Sequence, residues 1–215
     1  MFEKNKTLNY YEEDDTSIGV VSLEENYNKL FSVFFSEIDK RLINDRVVVA
    51  IEGGSASGKS TLAEIISSKY DCTVFHMDDF FLRPEQRNIE RFKEVGGNID
   101  KERFIEEVLK PLSGGKNILY KKFDCSTMTL GEEIEVTPKK LIIVEGVYSM
   151  HPEFGEYYDL SVFLDISPNF QRKRIVDRNG IQLARRFFNE WIPLENEYFT
   201  KTNIKQRCDM VIDVL

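Results

Sequence analysis

Gly53-Gly54-Ser55-Ala56-Ser57-Gly58-Lys59-Ser60 fills the phosphate-cradling pattern G-x-x-x-x-G-K-[ST] at every fixed position. Val47-Val48-Val49-Ala50-Ile51 precedes it as an apolar, β-branched run of buried-strand length, and Thr61-Leu62-Ala63-Glu64-Ile65-Ile66 follows it with helical character. Strand, glycine-rich turn and helix is the order in which such a motif works. The glycines let the backbone curl until consecutive N–H groups point inward, and the positive end of the next helix adds to the field they make for a phosphate. In that frame Gly53, Gly54, Ser55, Ala56, Ser57, Gly58, Lys59, Ser60 and Thr61 form a candidate nucleotide cradle. Lys59 bridges the β- and γ-phosphates and the Ser60 hydroxyl ligates Mg²⁺. A Gly/Ser-rich turn that binds nothing is the alternative, and the elements on both sides argue against it.

The 215 residues suit one globular domain with room for a small insertion. Lys and Arg number 29 against 37 Asp and Glu, and the net charge of −8 argues against a dedicated binder of nucleic acid or of an anionic membrane. Cys72, Cys125 and Cys208 stand apart, in odd number and without metal-ligand spacing, as reduced thiols of a cytoplasmic protein. Residues 1–22 are polar, with Glu12-Glu13-Asp14-Asp15 among them, and resemble neither a signal nor a transit peptide. No run approaches the length of a membrane span. The folded domain is expected over residues 23–215.

Outward from the motif, strands and helices alternate. Leu30, Phe31, Phe34, Phe35, Ile38 and Leu42 recur at near-helical spacing, which predicts a leading helix over 23–44. Its aromatic face is available to its own sheet or to a second subunit of a homo-oligomer. Cys72-Thr73-Val74-Phe75-His76-Met77 predicts a second buried strand that stops at Asp78-Asp79. Residues 83–98 read as a long polar loop broken by Pro84 and Gly96-Gly97, and 99–112 as a helix with Asp100 near its start. Strand character on both sides of a Gly131 turn predicts a hairpin over about 117–137.

Leu141-Ile142-Ile143-Val144, leading into Glu145-Gly146, and Leu160-Ser161-Val162-Phe163-Leu164-Asp165 predict two more buried strands. An arginine-rich helical segment over 169–186 is interrupted near Asn179-Gly180, a last helix continues to about Lys205 with Pro193 as a kink or boundary, and Met210-Val211-Ile212-Asp213-Val214 closes as a strand. Strands separated by helices predict an α/β fold with a mostly parallel sheet covered on both faces.

A phosphate cradle holds a nucleotide without saying what becomes of it. Transfer to an alcohol needs a carboxylate to accept the hydroxyl proton, and Asp78 and Asp79 are the candidates, at a strand end where ligands of such sheets collect. Either also suits a helix N-cap ahead of Phe80-Phe81. Glu145 follows an apolar strand where an acidic residue helps hold Mg²⁺; a solvated strand-end glutamate is the plainer reading, and Gly146 points to close packing against the phosphate loop. The candidate metal ligands are thus Ser60, Asp78 and Glu145. Arg172, Arg174, Arg178, Arg185 and Arg186 suit a lid over about 172–192 that delivers guanidinium forks to phosphate, or a charged helix face. His76 reads as a hydrogen-bonded core residue; His151 and Trp191 carry no assignment.

Together these pieces resemble the uridine kinase-like group of P-loop kinases, with phosphoribulokinase, bacterial pantothenate kinase and nicotinamide riboside kinase, from about Val47 to Val214. The loop is very similar to the uridine kinase form. His76-Met77-Asp78-Asp79-Phe80-Phe81 looks like the segment carrying the family's catalytic aspartate, which the resemblance sets at Asp78, and its Asp78-Asp79-Phe80-Phe81 run is close to the nicotinamide riboside kinase version. Ile143-Val144-Glu145-Gly146-Val147-Tyr148 matches the strand whose glutamate works near the metal, and Arg174 and Arg178 fall at the first lid arginines.

The resemblance implies a P-loop nucleoside triphosphate hydrolase fold with a hairpin insertion and an arginine-rich helical lid. It also implies ATP and Mg²⁺, catalysis by Lys59, Asp78, Arg174 and Arg178, and a small-molecule phosphate acceptor. Phe123 and Met128 stand where uridine-cytidine kinases offer a tyrosine and a histidine to the base, and Glu94 is the nearest match to the ribose-binding aspartate in 91–97. Uridine or cytidine leads the acceptors by resemblance. Nicotinamide riboside, pantothenate and a sugar phosphate, the last read by Arg83, Arg87 and Arg91, are the rivals, and a nucleotide-dependent switch is the rival from another class.

Overall fold

The computed structural model describes residues 29–43 and 45–214; the acidic segment over 1–22 and the predicted start of the leading helix lie outside them. β1 (Val47–Gly53) is the axis of the sheet and is buried at every position. It pairs in parallel with β5 (Leu141–Glu145) on one side and β6 (Leu160–Ile166) on the other. β2 (Cys72–His76) flanks β5, and β7 (Met210–Val214) flanks β6, so the order is β2-β5-β1-β6-β7 with all strands parallel.

Strands this apolar need cover on both faces. Alternate residues of β1 serve the two sides: Val49 and Ile51 pack with Phe34 and Ile38 of α1 (Ser32–Leu42) and Leu62 and Ile66 of α2 (Lys59–Lys69). Val48, with Ile142 and Val144 of β5, packs with Phe104, Phe154 and Tyr198. The aromatic face of α1 is therefore core of its own chain.

Residues 83–98 are more ordered than a loop. A 3₁₀ turn at Pro84–Gln86 leads to α3 (Ile89–Lys93), whose N-cap Asn88 accepts the Arg91 N–H at 2.8 Å. Asp100 caps α4 (Lys101–Phe104) by accepting the Arg103 N–H, and the rod continues through a π turn at Ile105–Leu109 into α5 (Lys110–Ser113). β3 (Ile118–Asp124) and β4 (Thr129–Val136) form a separate antiparallel hairpin. Its turn is not at Gly131, which lies inside β4. Asp124 accepts the Ser126 N–H, and Met128, at φ 60°, donates its N–H to the Asp124 carbonyl, closing the turn earlier.

After β6, α6 (Pro168–Arg186) is broken at Gly180 (φ 72°, ψ 161°), as the sequence predicts. It passes through a π turn at Phe187–Trp191 into α7 (Ile192–Thr202), and Pro193 sits in the first turn of α7 without breaking the path. The short α8 (Ile204–Arg207) leads into β7. Among the described residues no helix is long and apolar enough to cross a membrane.

Candidate active site

The carboxyl ends of β1, β2 and β5 lie side by side, and register places Glu145 between Ile51 and His76. Glu145 Oε1 accepts from His76 Nδ1 at 2.6 Å and from Ser60 Oγ at 3.1 Å. Burial raises the Glu145 carboxyl, but the His76 hydrogen bond and the Lys59 charge prevail and hold it below its ordinary value. His76 is not the core residue that its apolar strand suggests: as the last residue of β2 it is half-buried at this edge, and the Glu145 bond raises its pKa. Gly146 (φ 140°) packs against Met77, whose Cβ would lie 2.6 Å from an added Cβ, rather than against the phosphate loop.

The loop itself has the curl its glycines allow. At Gly53 (φ 144°) an added Cβ would lie 2.6 Å from the Leu164 carbonyl, so only glycine fits. Ala56 takes a left-handed conformation at φ 61°. Lys59 is buried and its Nζ donates to the Gly54 carbonyl at 2.9 Å. Among the described residues the N–H groups of Ala56, Gly58, Lys59, Ser60 and Thr61 have no backbone partner, and the Ser57 hydroxyl is buried without a hydrogen bond. Open amides at the start of an eleven-residue helix make an anion site.

Asp78 and Asp79 lie inside a 3₁₀ turn at Met77–Phe80 and neither caps a helix. Asp79 pairs with Lys122 Nζ at 3.2 Å, and its carbonyl accepts Arg103 Nη2 at 2.6 Å. Asp78 keeps an exposed edge, with Lys59, Glu145, His76 and Asp79 around it, and has no hydrogen bond or ion pair among the described residues. Enclosure by the surrounding protein raises its carboxyl above the ordinary value, helped by the charges of Glu145 and Asp79 against the pull of Lys59 and His76.

Of the arginines in the segment expected to form a lid, Arg174 reaches the loop: its Nη1 donates to the Ala56 carbonyl at 2.8 Å, and burial lowers its pKa to about 10. Arg178 lies over the Phe187 ring, Arg172 over Phe188 and Arg186 over Trp191, where it also pairs with Glu190. Two acids escaped the sequence reading. Glu52 is fully buried; its carboxylate accepts from the N–H groups of Gly53, Tyr148 and Met150 and from the Tyr198 hydroxyl. Burial pushes it up to about 7. A charge just before the motif, after five apolar residues, was its visible signal. Glu195, from α7, accepts the Ser55 N–H at 2.9 Å and bonds the Ser55 hydroxyl, and nothing in its local sequence announces that.

Beside the Asp78-Asp79 turn, and joined to it by Arg103, lies a cleft of about 670 Å³ with six carboxylates, Asp100 among them, and three arginines. Its cations are committed. Arg91 pairs with Glu102 and Glu94, Arg83 with Glu85 and the buried Asp100, and Arg103 with Asp100 and Glu107. Arg87, close by, donates to the Leu82 carbonyl and lies over Phe123. Glu94 is held by Arg91 and Lys101. The basic pocket expected of Arg83, Arg87 and Arg91 is not formed, because carboxylates and carbonyls occupy these guanidinium groups.

Residues 48–182 match the model of the Phosphoribulokinase / Uridine kinase family. A uridine kinase of Clostridium perfringens is 25% identical over 182 residues, which cover 77% of this chain and 86% of that protein. One of Staphylococcus epidermidis is 23% identical over 186 residues, 79% and 88% of the two chains. Among solved structures, that of a possible uridine kinase from Bacillus stearothermophilus is similar in fold, with a TM-score of 0.68 and 23% identity, covering 87% of this chain and 100% of its own.

Proposed function

We propose that this chain, which belongs to the Phosphoribulokinase / Uridine kinase family, is an ATP-dependent kinase that phosphorylates a hydroxyl of a small metabolite bearing no phosphate, with uridine or cytidine the first candidates. The observation that carries the reading is the meeting, at one sheet edge, of open loop amides and Lys59 with the unpaired carboxylate of Asp78.

The loop N–H groups and Lys59 bind and orient the phosphates. Ser60 Oγ and Glu145, with Asp78 within electrostatic reach, are an all-oxygen donor set that suits Mg²⁺, which keeps waters and phosphate oxygens among its ligands. When bound, ATP·Mg²⁺ supplies the electrophilic phosphorus. Asp78 would take the proton from the acceptor hydroxyl while the acceptor oxygen bonds to that phosphorus and the bond to the departing ADP oxygen breaks, and its raised pKa makes it a better base. Arg174, already on the loop, offsets charge on the transferring group.

The arginines of the cleft are already paired with carboxylates, so an acceptor that carries phosphate finds no free guanidinium group there. The test is product detection by mass spectrometry with ATP·Mg²⁺ and uridine, cytidine, nicotinamide riboside, pantothenate and pentose phosphates, with Lys59→Ala as the blank. A phosphorylated nucleoside supports the proposal. A product from pentose phosphate alone, or ATP hydrolysis independent of every acceptor, refutes it.

A further inference from the structure

We propose that Glu195 is a positioning residue for nucleotide: it fixes the crest of the phosphate loop at Ser55 and ties nucleotide affinity to the helix that follows the lid. The inference rests on reading Gly53–Ser60 as a nucleotide site.

Ala56 is the strained point of the loop. A non-glycine residue at φ 61° is disfavoured by roughly 1–2 kcal/mol, and such a conformation persists when its surroundings over-determine it. Here those surroundings are side chains from the two ends of the lid. The Ser55 N–H and hydroxyl go to Glu195, the Ser55 carbonyl accepts Gln171 Nε2 at 2.9 Å, and the Ala56 carbonyl accepts Arg174 Nη1. The Ala56 N–H stays out of this set and available to phosphate.

Glu195 is 4% exposed and forms no ion pair among the described residues; the hydrogen bonds that its two oxygens make both go to Ser55. A buried carboxylate spent on a loop rather than on a cation is an expensive way to hold a helix, and here it holds the loop. Three residues along α7, Tyr198 donates its hydroxyl proton to Glu52 Oε2 at 3.0 Å, immediately before the loop begins. α7 therefore grips the loop at its entrance and at its crest. Without Glu195, Ser55 is released, Ala56 relaxes from its left-handed conformation, and the N–H groups that follow turn away from the phosphates. Position rather than charge does this, since a carboxylate close to a triphosphate is repulsive in itself.

The test is the affinity for ADP·Mg²⁺ by calorimetry, which needs no acceptor, with thermal melts alongside. Glu195→Ala and Glu195→Asp, the latter charged but one methylene short, each raise Kd about tenfold. Glu195→Gln keeps near wild-type affinity, because its amide can accept the Ser55 N–H and donate to the Ser55 hydroxyl. In steady state KM for ATP rises while kcat changes little. Ser55→Ala weakens binding less, and combined with Glu195→Asp is less than additive. Should Glu195→Ala fail to fold, Glu195→Asp and Ser55→Ala decide. Unchanged Kd with a lowered Tm makes Glu195 a scaffold residue, and tighter binding makes it a gate; either overturns the proposal. If the wild type binds no nucleotide, the reading of the loop falls and the proposal falls with it.

Discussion

The loop proposed to cradle phosphate and the side-chain cleft proposed to face the acceptor are built by opposite means. The cradle presents backbone N–H groups at a helix start, with one lysine and few other charges. The cleft presents side chains from Arg83 to Glu107 and from the hairpin, nearly all already paired with one another. A site made of main chain accepts any phosphate of the right geometry. One made of paired side chains selects, because an acceptor must suit charges already arranged, and a polar group left unpaired is penalised heavily.

The division can be broken by separating binding from chemistry. Lys59→Ala removes the cation of the cradle and should lower transfer about 10³-fold with the fold intact by circular dichroism. Asp78→Asn should lower kcat about 10²- to 10⁴-fold and change nucleotide affinity in calorimetry far less. Loss of nucleotide binding in Asp78→Asn would mean that cradle and acceptor side are one site, not two.

Stability sharpens the same comparison. Glu52→Ala strands four donors beneath the cradle and should cost about 3 kcal/mol in urea unfolding. Arg91→Ala, which breaks partly exposed pairs at the cleft, should cost about 1 kcal/mol.

The smallest effect is on pH dependence. The Glu52 carboxyl, raised from 4.5 to about 7, binds a proton in the folded state that the unfolded chain has released. The stability from that proton is complete below about 4.5 and is lost as pH rises through about 7. Melts should show wild-type Tm falling across that window more steeply than Tm of Glu52→Gln. Parallel curves would show that Glu52 stays ionised.

Much of the loop and of the strand ends beside it was legible because its chemistry is local. Gly53 to Ser60 carry the turn, the lysine and the hydroxyl in eight consecutive residues, and strand ends at His76 and Glu145 follow from apolar runs that stop at polar residues. His76 itself was misread, since strand pattern alone does not say that register sets it opposite Glu145. The hairpin turn was misplaced at Gly131 because a side-chain bond from Asp124 and a left-handed Met128 closed it earlier. In the cleft and beside it, arginines at 83, 87 and 91 look alike in sequence as phosphate ligands. Their carboxylate and carbonyl partners come from segments as far along as Asp100 and Glu102.

The parallel α/β sheet, the curled loop with Lys59 and Ser60, and the acidic strand ends are all written into short stretches of chain, because hydrophobic period and turn chemistry act between near neighbours. Only the tertiary structure decided that Arg174 rather than Arg178 touches the loop, that Glu195 holds Ser55 from 140 residues away, and that the cations of the cleft are already neutralised. Those outcomes depend on which distant side chains packing brings within hydrogen-bond reach, a matter of fold geometry that no local pattern encodes.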